Sequence, residues 1–158
     1  MPSTPDLRPR AWRLFVETHA ALFGHLVDQM RVDVGIPMTW YDVLLHLAEV
    51  EGGRLRMHEL ADAVLLSKSG LTTLVDRMEA AGLVRREVPA GDRRAIDVVL
   101  TDAGRRRFQE AAAVHRRGID AHFCAHLSQD ETAALIALLE RLRSASPRSA
   151  RVSERATR

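Results

Sequence analysis

The sequence predicts a mostly α-helical fold with a small β-hairpin wing: a winged helix-turn-helix flanked by long dimerisation helices. Three observations predict it. MHELADAV (Met57–Val64) and KSGLTTLVDRMEAAG (Lys68–Gly82) carry apolar residues at helical spacing, with only LLS (Leu65–Ser67) between them. Two short helices joined by so tight a turn form the unit whose second helix reads the DNA major groove. In LVRREV (Leu83–Val88) Val84 and Val88 alternate with Arg86, and in AIDVVL (Ala95–Leu100) Ile96, Val98 and Leu100 alternate with Asp97 and Val99 around a PAGDRR tip, the pattern of a half-buried hairpin. Long apolar-periodic stretches stand before and after this core.

Taken in order, residues 1–9 hold three prolines and read as a loose arm. A helix is expected from Arg10 to Val34, with Trp12, Phe15, His19, Leu22, Leu26 and Met30 recurring every three or four residues; Gly35 and Pro37 end it. Thr39 is expected to cap the next helix with Asp42 as capping-box partner, burying Leu44, Leu47 and Ala48. EGGR (Glu51–Arg54) breaks that helix and leads into Leu55, a third strand for the wing. Ser67 is the natural N-cap of the helix from Lys68. Leu71, Leu74, Val75 and Met78 form its buried face, and Gly82 suits the left-handed residue after its last turn. In the hairpin, Val84, Val88, Ile96, Val98 and Leu100 are expected to face inward. Thr101 caps a second long helix whose buried side runs through Phe108, Ala111, Ala112, His115, Ile119, His122, Phe123 and His126. SQDE (Ser128–Glu131) is a capping box for a last helix with Leu135, Leu138, Leu139 and Leu142. From Ser144 onward no apolar period remains, and disorder is expected. The chain thus divides into an arm (1–9), N-terminal helices (10–50), a winged helix-turn-helix (51–101), C-terminal dimerisation helices (102–143) and a tail (144–158).

At 158 residues the chain is about one domain long, and 46% hydrophobic with 28% charged residues is ordinary for a soluble protein. Net charge is only +2, but its distribution is uneven. Arg54–Arg107 holds eleven basic against eight acidic residues, whereas Arg8–Val50 holds four against five. Positive charge therefore gathers on the expected reading head. One cysteine excludes an intramolecular disulfide. No signal core or membrane-length apolar run is present, so a cytoplasmic protein without membrane contact is expected.

LADAVLLSKSGLTTLVDRMEAAGLVRREVPAGDRRAIDVVLTDAGR resembles the multiple-antibiotic-resistance-regulator (MarR) family of bacterial transcription factors. The match is strongest over GLV (Gly82–Val84), DRRA (Asp92–Ala95) and LTDAG (Leu100–Gly104), and the flanking helices extend it from Trp12 to Leu142. Met57 departs from it, the family often having Ser or Thr to cap the first helix of the unit. The resemblance implies a homodimer that represses transcription by occupying a promoter. It also implies a wing aspartate paired with the arginine two residues on, here Asp92 and Arg94.

Candidate DNA-binding residues are Ser67, Lys68, Ser69, Thr72, Thr73 and Arg77 on the second helix, with Arg86, Asp92, Arg93 and Arg94 on the hairpin. Short hydroxyl side chains suit base edges and thymine methyls, and Lys or Arg suits phosphate or guanine. Arginines at a narrow tip suit the minor groove. The expected partner is double-stranded DNA with a near-palindromic site, read by helix 68–82 in the major groove and wing 89–94 in the minor groove. Family members commonly bind phenolic or aromatic acids in a crevice, here between the first, second and fifth helices. Phe15, His19, Trp40, His46 and His115 are the candidates for lining it. His122 and His126, four apart, are weak zinc candidates needing ligands from another element, which leaves a zinc-responsive regulator as one alternative. A winged protein-interaction module without DNA contacts is another. Cys124 is expected to be a buried structural thiol. No cofactor is called for, and without a phosphate loop or nucleophile elbow no enzyme is expected.

Overall fold

The computed structural model of the protein describes residues 6–64, 66–89, 91–92 and 95–145. They fall into two compact units, one up to Asp120 and one from Ala121. The expectations for residues 1–5 of the arm, for Leu65, for Arg93 and Arg94, and for the tail from 146 lie outside the described residues.

Helix α1 (Arg8–Gln29) starts two residues before the expected boundary. Pro9 falls in its first turn, where the missing N–H removes no helical hydrogen bond. Just ahead of it, the Asp6 carboxylate accepts from the Arg8 backbone N–H at 3.1 Å. The helix passes into a π-helical turn, Met30–Val34, in which the Gly35 N–H donates to the Met30 carbonyl at 3.2 Å. Gly35, at φ 74°, closes that turn in the left-handed region.

Helix α2 (Met38–Glu49) corrects the expected cap. It begins directly after Pro37, whose carbonyl accepts from the N–H groups of Trp40 and Tyr41 at 3.0 and 3.3 Å. Thr39 therefore lies inside the first turn, and no side chain caps this helix. A 3₁₀ turn, Glu51–Gly53, leads into β1 (Arg54–Arg56) and α3 (Met57–Ala63). Met57 is the first residue of α3 rather than its cap. The Glu59 carboxylate instead reaches back to the Arg56 N–H at 3.0 Å.

Helix α4 (Lys68–Ala80) is capped as expected, the Ser67 hydroxyl accepting from the Gly70 N–H at 3.1 Å. Leu71, Val75 and Met78 are buried, and Gly82 takes φ 70° after the last turn. Strands β2 (Val84–Glu87) and β3 (Asp97–Leu100) form an antiparallel sheet with β1 in the order β1-β3-β2, so the third strand at Leu55 is present, opposite Val98.

The expected alternation fails in β3. Because β3 is the middle strand, Asp97, Val98, Val99 and Leu100 are all buried. Val88 and Ile96, expected inside, lie beyond the strand ends and are 63% and 42% exposed. The core of this unit gathers Met30, Leu44, Leu47, Leu60, Leu71 and Met78, each fully buried. The outer half of α1 takes no part in it, and Trp12, Phe15 and Phe23 stand exposed.

Helix α5 (Asp102–His122) starts at Thr101, whose hydroxyl accepts from the Gly104 N–H at 2.9 Å and approaches the Gly82 and Leu83 carbonyls at 2.7 and 3.0 Å. Ala111, Val114 and Gly118 are buried along it. In the second unit the expected buried run through His122, Phe123 and His126 is not found. The helix stops at His122, Phe123 leaves helical geometry, and Cys124–His126 forms a 3₁₀ turn with all these side chains exposed. Helix α6 (Gln129–Ser144) has the expected capping box between Ser128 and Glu131. Leu138, Leu139 and Leu142 on its apolar stripe are exposed in the single chain.

Candidate nucleic-acid interface

The face of α4 opposite its buried residues presents Lys68, Ser69, Thr72, Thr73 and Arg77, all exposed. Burial of Leu71, Val75 and Met78 fixes which way this face points. Ser67 is taken up by capping, with its hydroxyl also 3.3 Å from that of Ser69. The Thr72 and Thr73 hydroxyls donate to the carbonyls of Lys68 and Ser69 at 2.9 and 3.2 Å. With its proton engaged on the backbone, each hydroxyl offers an acceptor and a methyl outward, a match for base amino groups and thymine methyls. Among the described residues neither Lys68 nor Arg77 has an ion-pair partner, so both charges remain available to phosphate.

Arg86 is placed otherwise than expected. Its guanidinium lies 2.6 Å from Glu79 and 2.7 Å from Asp76 and donates to the Thr72 carbonyl at 3.2 Å. This binds β2 to α4 rather than presenting a free cation. Arg93 and Arg94 at the tip lie outside the described residues, as does the expected pairing of Arg94 with Asp92. Asp92 itself accepts from Arg56 at 3.2 Å.

Arg56 belongs to a network that residue spacing did not reveal. Buried Asp97 faces two arginines: Arg54 donates to its Oδ2 at 3.4 Å, and Arg56 Nε lies 3.4 Å from its Oδ1. The second is an ion-pair distance without hydrogen-bond geometry, which is why Oδ1 also counts as lacking a hydrogen-bond partner. Arg54 pairs with Glu87 at 2.6 Å as well. The Arg85 guanidinium, with help from Arg54, holds the Glu87 carboxyl below the usual carboxylate range. A cleft of about 330 Å³ opens beside this network, lined by Arg56, Met57, His58, Lys68, Thr72, Ala95 and Ile96. It joins basic side chains from around α3 to the start of α4. Nothing in the sequence marks Arg56 and His58, since basic residues beside a helix start usually signal only solvation.

The effector candidates separate into distinct settings. Phe15 is 6.2 Å from the Trp12 ring and His19 stacks on Phe23 at 5.8 Å, all on the exposed half of α1. Trp40 packs against the core from α2, and His46 lies 3.9 Å from Glu49. His115 is half-buried, its ring 4.8 Å from that of Tyr41, and its Nδ1 is buried without a hydrogen-bond partner, as is Gln29 Oε1. Burial pushes the His115 imidazole below its ordinary 6.5, against a weaker opposing pull from Asp42. His122 and His126 do not share a helix, contrary to expectation, and the described residues hold no group of three metal-ligating side chains. Cys124 is exposed rather than buried, because the turn that holds it lies past the end of α5. No helix among the described residues is long and apolar enough to cross a membrane.

Residues 34–95 match the model of the MarR family. The chain is 35% identical over 79 residues to the HTH-type transcriptional repressor MdtR of Bacillus subtilis, covering 50% of either chain. It thus spans about half the length of that curated relative. Two Streptomyces coelicolor MarR family transcriptional regulators match further. Sco3205, solved in complex with DNA, is 30% identical with a TM-score of 0.80 over 90% of this chain and 89% of its own. AbsC is 34% identical with a TM-score of 0.78 over 91% and 99%. These relatives are transcriptional regulators. With more than 30% identity across nearly all of AbsC, and with the wing, the capped α4 and the third strand all in place, the chain belongs to the MarR family of winged helix-turn-helix regulators.

Proposed function

We propose that the protein is a homodimeric, sequence-specific repressor that binds a near-palindromic operator, with α4 in the major groove and the 89–94 wing in the minor groove. The observation that carries this is the face of α4: an acceptor-and-methyl surface flanked by two cations without an ion-pair partner among the described residues, locked in direction by a buried opposite face. That a relative at 30% identity was solved with DNA supports it. Such a protein works in the cytoplasm, where the chromosome is. The dimer is supported by the bare apolar side chains of α1 and α6. Covering a large apolar side chain contributes about 1.5–3 kcal/mol, and a two-fold partner covers matching faces at once. Two recognition helices would then sit about 34–36 Å apart, on successive major grooves.

The test is an anisotropy titration of the duplex upstream of the protein's own gene across a salt series. Saturable binding that outcompetes random DNA and falls steeply with salt is expected. Arg77→Ala should cost about 1–3 kcal/mol if the guanidinium meets a base, or lower the salt slope by about one if it meets phosphate. Neither change would remove Arg77 from the interface.

Release by a small aromatic or phenolic acid forms part of this reading. His115 Nδ1 and Gln29 Oε1, buried and unpartnered, are the kind of polar atoms an effector would satisfy. The state of His115 is open to a pH measurement. Its folded-state pKa lies below 6.5, so the unfolded chain takes up the proton first. Its contribution is full above the unfolded value and is lost as pH falls from there through the folded value. Between about pH 7.5 and about pH 5.5, His115→Phe should therefore lose less stability in urea melts than the wild type does. Equal losses would mean that His115 is not held neutral by burial.

A further inference from the structure

We infer that Arg86 is a positioning residue that holds the recognition helix to the wing, and that it makes no contact with DNA. The inference rests on the DNA-binding reading above. Thr72, Asp76 and Glu79 follow one another at i, i+4 and i+7 and so form a single ridge along α4. The Arg86 side chain lies against this ridge, only 23% exposed. Its Nη1 is 2.6 Å from Glu79 Oε2, and its Nη2 is 2.7 Å from Asp76 Oδ1 and 3.2 Å from the Thr72 carbonyl. In return, the Arg86 backbone N–H on the outer strand β2 donates to Glu79 Oε1 at 2.8 Å.

An edge strand has N–H groups with no neighbouring strand to accept them, and Glu79 satisfies one of these while gripping the same residue's side chain. The planar guanidinium spans two turns of helix at once, so α4 cannot roll against the sheet without breaking several charge-assisted bonds. One cation facing two carboxylates leaves the cluster net negative, so it offers nothing to phosphate. Asp76 sits beside the Ser69–Thr73–Arg77 row, and Arg86 also masks its charge where DNA would lie.

The test titrates the full-length wild type, Arg86→Lys and Glu79→Met with the duplex upstream of the protein's own gene and with random DNA, across salt. Lysine keeps the charge but loses the fork, and methionine removes a carboxylate that simple electrostatics says should repel DNA. If Arg86 positions α4, both variants weaken specific binding about tenfold, the scale of lost charge-assisted hydrogen bonds, and neither changes the salt slope. If Arg86→Lys keeps wild-type affinity while Glu79→Met binds as tightly or tighter, Arg86 is an ordinary phosphate contact and the inference falls. Amide hydrogen exchange without DNA keeps the two readings apart. Both variants should speed exchange along α4 and β2 even if the wild type were to show no preference for this duplex. Unchanged exchange in both would overturn the latch whatever the DNA result.

Discussion

Alanine at Gly104 is expected to destabilise the protein by about 3 kcal/mol, the upper end of what an overpacked core costs. Gly104 lies in the first turn of α5, where the helix runs against the end of the recognition unit. A Cβ there would collide with the Leu83 carbonyl oxygen and come within 2.8 Å of Leu100 Cδ1. The carbonyl cannot simply retreat, because it accepts from the Thr101 N–H at 3.2 Å and lies 3.0 Å from the Thr101 hydroxyl. Alanine gains about 1 kcal/mol over glycine in helix propensity, and the collision outweighs that gain. Urea unfolding of the two proteins decides it. A midpoint at or above the wild type's would mean that α5 shifts away from β2 without strain.

Glutamates at Leu138 and Leu142 together are expected to produce a monomer and to lower operator affinity by a factor of about 10² or more, the scale on which a second linked site contributes. Both leucines lie on α6 and are 48% and 62% exposed in the single chain. A soluble monomer has no reason to keep such a row in water, and a charge placed in an interface core is costly to bury. Sedimentation velocity reads the assembly, and the titration described above reads the DNA. A variant that stays dimeric at full affinity would move the assembly surface to α1, where Trp12, Leu14 and Phe15 are 68%, 51% and 49% exposed.

Local chemistry made much of the fold legible. Ser67, Gly82, Thr101 and the Ser128–Glu131 box each act within a few residues of themselves, and each sits where a reader of the chain would place it. What escaped depended on distant neighbours. Period two would turn Asp97 and Val99 of β3 outward, but a strand paired on both sides and covered on both faces buries every residue, Asp97 included. Arg86 looks like a hairpin cation for DNA until α4 brings two carboxylates to it. The end of α5 at His122 has no glycine or proline to announce it, so the sequence alone extends the helix one turn too far, to His126. The apolar period of α1 predicts a covered face, and periodicity alone does not say by which chain.

The π-helical turn at Met30–Val34 bears on that last point. Each residue of an α-helix advances about 100° around its axis, and a wider turn holds one residue more than the α-helical ladder needs. Met30 and Val34 point into the core of their own chain, while the rows that begin at Trp12 point elsewhere. The turn thus works as an azimuthal offset, letting one continuous rod aim its two ends at different targets. Were the same residues wound as unbroken α-helix, the outer rows of α1 would face a bearing roughly 100° away, so the compass bearing of the helix is encoded in five residues rather than in the surface it presents.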